Sequence, residues 1–113
     1  MNKAKFLLQF KNGAERINTE KNIIQIFHES DGLFSVEMRI PAGVCVGKHK
    51  HTYSHLSFLA KGIVDVYVDS EPPVRVSAPY CTNIEKGKFH KIAAITEAVW
   101  FCTHATDERI IDE

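Results

Sequence analysis

Short segments in which apolar and polar residues alternate recur along most of this chain. Every second residue is apolar from Phe34 to Ile40, and Val64, Val66 and Val68 repeat the pattern. A period of two residues is typical of a β-strand with one buried face. Further short apolar segments predict strands at 23–27, 74–76, 82–84, 90–95 and 99–103.

Turn-forming residues separate these segments. Asp31-Gly32 predicts a hairpin, within a polar segment at 28–32 that we interpret as a turn. No window of a dozen residues has the spacing of an amphipathic helix. Short strands with regular turns between them predict an all-β fold, either a sandwich or a closed barrel. Other turns are expected at 41–43, 71–73 and 85–88.

The length of 113 residues fits one domain with its own core. We expect that core at about 22–104. An N-terminal strand or arm would then occupy 1–21, and a charged C-terminal tail would occupy 105–113.

Composition excludes several classes of partner. Lysine plus arginine equals aspartate plus glutamate at 14 each, and no basic stripe suggests nucleic-acid binding. No apolar segment approaches the roughly 20 residues that span a bilayer. The Lys-rich N-terminus is followed by too short an apolar stretch for a signal peptide. Three cysteines without a CxxC pair are expected to be free thiols, which favours a reducing, cytoplasmic location.

Four histidines form the main candidate site. His49, His51 and His55 differ by even numbers, so on one extended strand their side chains would share a face. His90 follows the turn at Gly87, and a neighbouring antiparallel strand could bring it opposite the other three. Converging imidazoles are typical of a transition-metal site.

Two other interpretations of these histidines are possible. A helix would put His51 and His55 on one face, as in zinc-binding helices, but His49 would lie about 160° away. Gly43 and Gly47 just upstream also disfavour a helix. Alternatively, the four could be scattered surface residues. We favour the strand interpretation, because it puts all three of His49, His51 and His55 on one face, whereas a helix would do so only for His51 and His55.

The region around these histidines resembles the first motif of the cupin superfamily. That motif has a glycine, five residues, His-x-His, three or four residues, a glutamate, six residues and a glycine. Gly43, His49, His51 and Gly62 stand at the matching positions. The glutamate position holds His55, as in single-domain cupins with four histidines.

The second cupin motif is matched less well. Gly87 and His90 fit its Gly-x-x-His core, and the whole resemblance spans about 33–104. Three other positions of the motif differ, and they hold Pro79, Glu85 and Ala94.

The resemblance implies an RmlC-like jelly-roll barrel, the double-stranded β-helix. It also implies a homodimer and a divalent metal inside the barrel on His49, His51, His55 and His90. Imidazole ligands do not discriminate between Fe, Mn, Ni, Cu and Zn.

Replacing the glutamate by His55 changes the expected chemistry. Four neutral imidazoles leave a divalent ion with a formal charge of +2, so the site should favour anionic, chelating small molecules. Two positions of an octahedral ion would stay open for water, dioxygen or substrate, as in catalytic sites. No side chain is assigned as catalytic, although Tyr53 is a candidate because it lies between two ligands.

Further residues are candidates for a pocket above the metal. Apolar residues such as Phe58 are expected mainly in the core. Glu37 and Arg39 lie on the polar face of their strand, where we expect ordinary cross-strand pairing, and His28 has no assigned role. The candidate pocket residues are Phe34, Met38, Tyr53, Ile92, Trp100, Cys102 and His104.

The resemblance and the four histidines together favour a metal-binding cupin that acts as a small-molecule oxidoreductase of dioxygenase type. Two alternatives stay open, a metal-dependent isomerase or lyase and a non-catalytic module that binds a small metabolite. We expect a small-molecule partner and a second copy of the chain, without nucleic acid or membrane.

Overall fold

The computed structural model describes residues 13–50 and 54–105, apart from the side chains of 48–50. These residues form ten β-strands and no helix, as the alternating pattern predicts. The strands are β1 (Glu15–Asn18), β2 (Ile23–Ser30), β3 (Leu33–Ile40), β4 (Cys45–Lys50), β5 (His55–Lys61), β6 (Ile63–Val68), β7 (Val74–Ser77), β8 (Tyr80–Ile84), β9 (Phe89–Ala94) and β10 (Ala98–Ala105).

The strands form two antiparallel sheets. One has six strands in the order β1-β2-β3-β10-β5-β8, and the other has four in the order β4-β9-β6-β7. Chain neighbours β4 and β5 lie in different sheets, as do β7 and β8. The chain therefore crosses between the sheets, as in a jelly roll.

The predicted hairpin at Asp31-Gly32 is confirmed. Both residues have positive φ angles, 42° and 81°, and Ser30 pairs directly with Leu33 across the turn. The turn is shorter than the predicted segment 28–32, because residues 28–30 continue β2 and pair with β3. Cross-strand pairing therefore overrides the turn-like composition of this segment.

The core lies between the two sheets. Trp100, Ile40, Leu59, Val64 and Ile92 are its largest fully buried apolar side chains. They come from five different strands, so the core joins the two sheets.

Phe58 is not in the core. Its neighbours along β5, Ser57 and Leu59, are buried, whereas Phe58 lies on the outer surface of the six-stranded sheet. The expectation of a core position for Phe58 is wrong, because strand parity turns it away from the core.

The predicted domain extends beyond the described residues. β1 falls within the expected N-terminal arm, but 1–12 lie outside the described part, as do 106–113 of the expected tail. The three cysteines are free thiols. No described segment forms a helix long and apolar enough to cross a membrane.

Candidate metal site

His55 and His90 approach each other from opposite sheets. His55 begins β5 in the six-stranded sheet, and His90 lies in β9 of the four-stranded sheet. Their side chains are buried, with 5% and 6% of their surface exposed. The ring centroids are 5.1 Å apart and the ring planes are inclined by 55°.

Strand parity explains why both rings are buried. In β5, buried residues alternate from His55 through Ser57 to Leu59, and in β9 from His90 through Ile92 to Ala94. Each histidine therefore shares its buried face with core residues of its own strand.

The backbone of His49 is paired directly with that of His90 across β4 and β9. A β-bulge between Gly47 and His49 shifts the register just before this pair. Gly47 has a φ of +101°, and a Cβ there would lie 2.9 Å from the carbonyl oxygen of His90. Glycine at position 47 thus allows the two strands to approach and the bulge to form.

Two of the predicted site residues, His51 and Tyr53, lie outside the described residues, and the side chain of His49 is also not described. Among the described residues, no group of three or more possible metal ligands is found. Two of the four predicted ligands, His55 and His90, are thus brought together in the described part.

The prediction that one extended strand carries His49, His51 and His55 is wrong. His49 belongs to β4 and His55 to β5, and these strands lie in different sheets. Residue parity has meaning only within one strand, and β4 ends at Lys50, before His55. The packing of the two sheets, rather than one strand face, brings the rings of His55 and His90 near each other.

The distance between the rings suits two imidazoles that share one metal ion. With metal–nitrogen bonds of about 2.1 Å and bond angles of about 90–110°, the ring centres would lie roughly 4.5–5.3 Å apart. The observed 5.1 Å falls within this range. Imidazole is also a common ligand for Zn, Cu, Fe and Ni, so the donor chemistry fits a transition metal.

Polar side chains line the six-stranded sheet beside His55. Ser57 is fully buried, and its Oγ donates a hydrogen bond to Cys102 Sγ at 3.8 Å. The same register brings His104 level with His55, because Cys102 pairs with Ser57 and Thr103 with Leu56. Cys102 and His104 therefore lie on the same side of this sheet as His55.

The orientation of His104 is defined by two contacts. Its Nδ1 lies 3.1 Å from the carbonyl oxygen of Ala105, so Nδ1 donates and carries the proton in this contact. Its ring centroid is 5.3 Å from that of Phe34, which is buried and also stacks on Phe27 at 6.0 Å.

The remaining candidate pocket residues lie deeper in the core. Trp100 is paired with Met38 on one side and Leu59 on the other. It is four residues from His104 along β10, or about 13 Å at 3.3 Å per residue. Ile92 is buried two residues after His90, next to the same core.

A cavity of about 460 Å³ lies beside His90. It is lined by Tyr67, Asp69, Phe89, His90 and Lys91. The Lys91 ammonium lies 4.3 Å above the centre of the Tyr67 ring, a cation–π contact. By strand parity Lys91 and Tyr67 lie on the outer face of the four-stranded sheet, whereas the His90 ring is buried on the inner face.

The sequence interpretation missed a polar cluster on the opposite surface of the six-stranded sheet. His28 Nε2 donates to Glu37 Oε1 at 2.9 Å, and Arg39 Nε donates to Glu37 Oε2 at 3.0 Å. Cross-strand pairing of Glu37 was expected, but His28 was assigned to a turn. His28, Glu29 and Ser30 are all polar, so the alternation along β2 ends before them and no local pattern indicates that His28 belongs to this strand.

The pKa of Glu37 is lower than its ordinary value of 4.5. Burial, the largest single influence, raises the pKa, but the hydrogen bonds and positive charges of His28 and Arg39 together outweigh it. Glu37 is therefore a carboxylate at neutral pH.

Comparison with solved structures identifies the fold. KdgF from Halomonas sp. has a TM-score of 0.72 and 14% identity, with 84% of this chain and 89% of that one covered. An RmlC-like cupin from Shewanella frigidimarina has a TM-score of 0.72 and 15% identity, with coverage of 85% and 86%. An acetylacetone dioxygenase from Acinetobacter johnsonii has a TM-score of 0.66 and 18% identity, with coverage of 85% and 70%.

At these identities the likeness defines the fold alone. The chain has the double-stranded β-helix fold of RmlC-like cupins, which confirms the predicted fold class. No protein-family model matches the sequence, and no curated protein matches it significantly.

Proposed function

We propose that this protein is a metal-binding cupin that holds one divalent transition metal on His49, His51, His55 and His90. The observation that carries the proposal is the approach of the buried His55 and His90 rings to 5.1 Å from opposite sheets. The pairing of position 49 with His90 supports the third ligand. The spacing of His51 from His49 supports the fourth.

The donor set favours Fe, Mn, Ni, Cu or Zn over Mg and Ca, which prefer oxygen ligands. Four neutral imidazoles would leave the full +2 charge of the ion uncompensated. An anionic small molecule with two oxygen donors is therefore the ligand class that this site would favour.

The protein's own residues would select and hold the ligand. The inward-facing surface of the six-stranded sheet offers Ser57 and His104 near the level of His55. The rings of Phe34 and Phe27 form an apolar wall next to His104, which would exclude water from one side. When bound, the metal would supply Lewis-acid and, for Fe, Mn or Cu, redox chemistry.

We further propose a small-molecule oxidoreductase of dioxygenase type. The support is the donor set of neutral imidazoles, together with the shared fold of a solved acetylacetone dioxygenase. The substrate class would be a small molecule that chelates through two oxygens, such as a diketone, a catechol or a 2-oxo acid.

Metal titration tests the binding proposal. Tag-free protein, stripped with a chelator, would be titrated with Mn²⁺, Ni²⁺ and Zn²⁺ in a calorimeter. We expect one ion per chain and at least a 100-fold loss of affinity in His55→Ala. The matched control is His28→Ala, which removes a histidine from the opposite surface and should bind as the wild type does. Equal binding by wild type and His55→Ala would refute the site.

Oxygen uptake tests the reaction class. The Fe-loaded and Mn-loaded proteins would be screened with diketones, catechols, 2-oxo acids and thiols. Uptake that depends on both metal and substrate supports the dioxygenase proposal. Conversion of a substrate without oxygen uptake would instead support an isomerase or lyase. A metabolite that raises the melting temperature without turnover would support a binding module.

A further inference from the structure

A groove of about 740 Å³ lies between the edges of the two sheets. Among the described strands, β1 pairs only with β2 and β4 pairs only with β9, so each forms the edge of its sheet. Residues of both edge strands line the groove, whereas His55 and His90 are not among the described residues that line it. The groove is therefore separate from the proposed metal site.

The floor of the groove is apolar. Gln25 and Met38 are cross-strand neighbours on the inner side of the six-stranded sheet, and Ile23 lies on the same side of β2. Ile23 is buried, and Met38 and Val46 pack against the core. All four residues line the groove. The apolar part of a ligand on this floor would be removed from water, which favours its binding.

The side chains around this floor are mainly cationic. Arg16 is paired with Gln25, so it lies on the same side of the sheet, and among the described contacts it has no hydrogen bond or ion pair. Lys21 also lines the groove, and Glu20 is the one carboxylate among the described residues that do so. The third basic residue, Lys91, has its ammonium over an aromatic ring on the outer face. Arg16 is thus the cation most available to a ligand.

The free edge of β4 adds backbone donors to the groove. Lys21 Nζ donates to the carbonyl oxygen of Cys45 at 3.4 Å, so this carbonyl points away from β9. In an antiparallel strand the N–H and C=O of one residue point to the same side, and this side alternates along the chain. The N–H groups of Cys45 and Gly47 therefore face the groove. Such unpaired N–H groups at a sheet edge attract anions.

We propose that this groove binds a small organic anion that has a carboxylate at one end and an apolar body. The carboxylate would pair with the guanidinium of Arg16, whose planar fork of N–H groups matches the two carboxylate oxygens. The N–H groups of Cys45 and Gly47 would donate to the same end of the ligand. The apolar body would cover Ile23 and Met38. The volume of about 740 Å³ is in the range of small-molecule sites.

Trp100 provides a reporter of binding at this groove. It is the only tryptophan of the chain, and its cross-strand neighbour on β3 is Met38. The indole is fully buried, and its Nε1 has no hydrogen-bond partner. A ligand that rests on Met38 would change the surroundings of the indole, so the emission of Trp100 should change when the groove is filled.

A fluorescence titration with straight-chain carboxylates, from butanoate to decanoate, tests the proposal. Chelator-treated protein is used, so that a bound metal does not contribute. We expect a saturable change in the emission of Trp100 and an affinity that rises about two- to fourfold with each added methylene group. Octanol, which has the apolar body of octanoate without the charge, should bind about tenfold more weakly or less.

Matched variants locate the carboxylate. Arg16→Gln should weaken octanoate binding about tenfold or more and leave octanol binding unchanged. The control is Arg75→Gln, which removes an arginine that pairs with Asp65 on the outer face of the four-stranded sheet. This control should bind octanoate as the wild type does. His55→Ala should also do so, because the groove does not require the metal site.

A second measurement makes the test independent of the tryptophan. In ¹⁵N-labelled protein, octanoate should shift the backbone amide signals of Cys45 and Gly47. Absence of binding by both methods would overturn the proposal, and so would equal octanoate affinities in the wild type and Arg16→Gln. Binding that needs a metal, or that is lost in His55→Ala, would assign the anion to the metal site instead. Failure of the metal titration alone would leave this proposal standing, so the two can fail separately.

Discussion

The rings of His55 and His90 are 5.1 Å apart although the two residues belong to different sheets. Each ring alternates with core residues of its own strand, so the packing that forms the barrel also brings the rings together. A site of this kind depends on the fold as a whole, because neither sheet alone contains both histidines.

The unusual histidine at position 55 should control the charge of the site. His55→Glu would lower the formal charge of a bound divalent ion from about +2 to +1. We expect this variant to retain the metal, with a shifted absorption spectrum when loaded with Co²⁺, and to bind an anion such as oxalate at least tenfold more weakly. His28→Gln is the control, and it should change neither property. Unchanged spectrum and anion affinity in His55→Glu would exclude His55 as a ligand.

The bulge at Gly47 should matter for stability and for the site. Gly47→Ala combines a φ of +101° with a Cβ at 2.9 Å from the His90 carbonyl oxygen, and we expect a loss of about 2–3 kcal/mol. Gly87→Ala is the matched control, because its φ of +80° has no atom within 4 Å of the added Cβ. That control should lose only about 1 kcal/mol.

Urea unfolding measures these losses, and metal titration measures the effect on the site. We expect weaker metal binding in Gly47→Ala, since the bulge defines the register of His49 and His90. Equal losses of stability in the two alanine variants would contradict the role of the close backbone contact.

Acid should weaken the fold through Glu37. The folded-state pKa is lower than the ordinary value of 4.5, so the carboxylate stabilises the fold above pH 4.5. This stabilisation is lost as the pH falls below 4.5 and through the folded-state pKa. Glu37→Gln should lower the free energy of unfolding at pH 7 by about 1–3 kcal/mol and reduce its acid dependence.

The control for acid dependence is Glu97→Gln. Glu97 also pairs with a cation, Lys61 at 2.9 Å, but both side chains are more than half exposed. Exposed pairs contribute little, so the unfolding curve of this variant should follow the wild type at each pH. An acid dependence that persists in Glu37→Gln would assign it to other groups.

Local patterns were sufficient to predict much of the fold. Alternation from Phe34 to Ile40 predicted β3, and Asp31-Gly32 predicted the hairpin before it. The buried face that His90, Ile92 and Ala94 share is of the same kind, since it follows from parity within one strand. These features depend on neighbours along the chain or on the twofold period of a strand.

Features that depend on how the chain crosses between sheets, or on which strands pair, could not be predicted from local patterns. The positions of His49 and His55 differ by an even number whether the two residues share one strand or lie in different sheets. Their spacing therefore does not show that the chain crosses between the sheets. His28 occurs in a segment with turn-like composition, and only its pairing with Ser35 puts it in β2. Apolar character alone likewise did not distinguish the outward-facing Phe58 from the buried Leu59.

The most direct test of the metal proposal is a crystal structure of tag-free protein with anomalous data at the edges of Mn, Fe, Ni, Cu and Zn. We expect one anomalous peak per chain, about 2.0–2.3 Å from imidazole nitrogens of His55 and His90, with His49 and His51 also bound. A peak bound by other residues, or no peak between His55 and His90 in metal-loaded crystals, would contradict it.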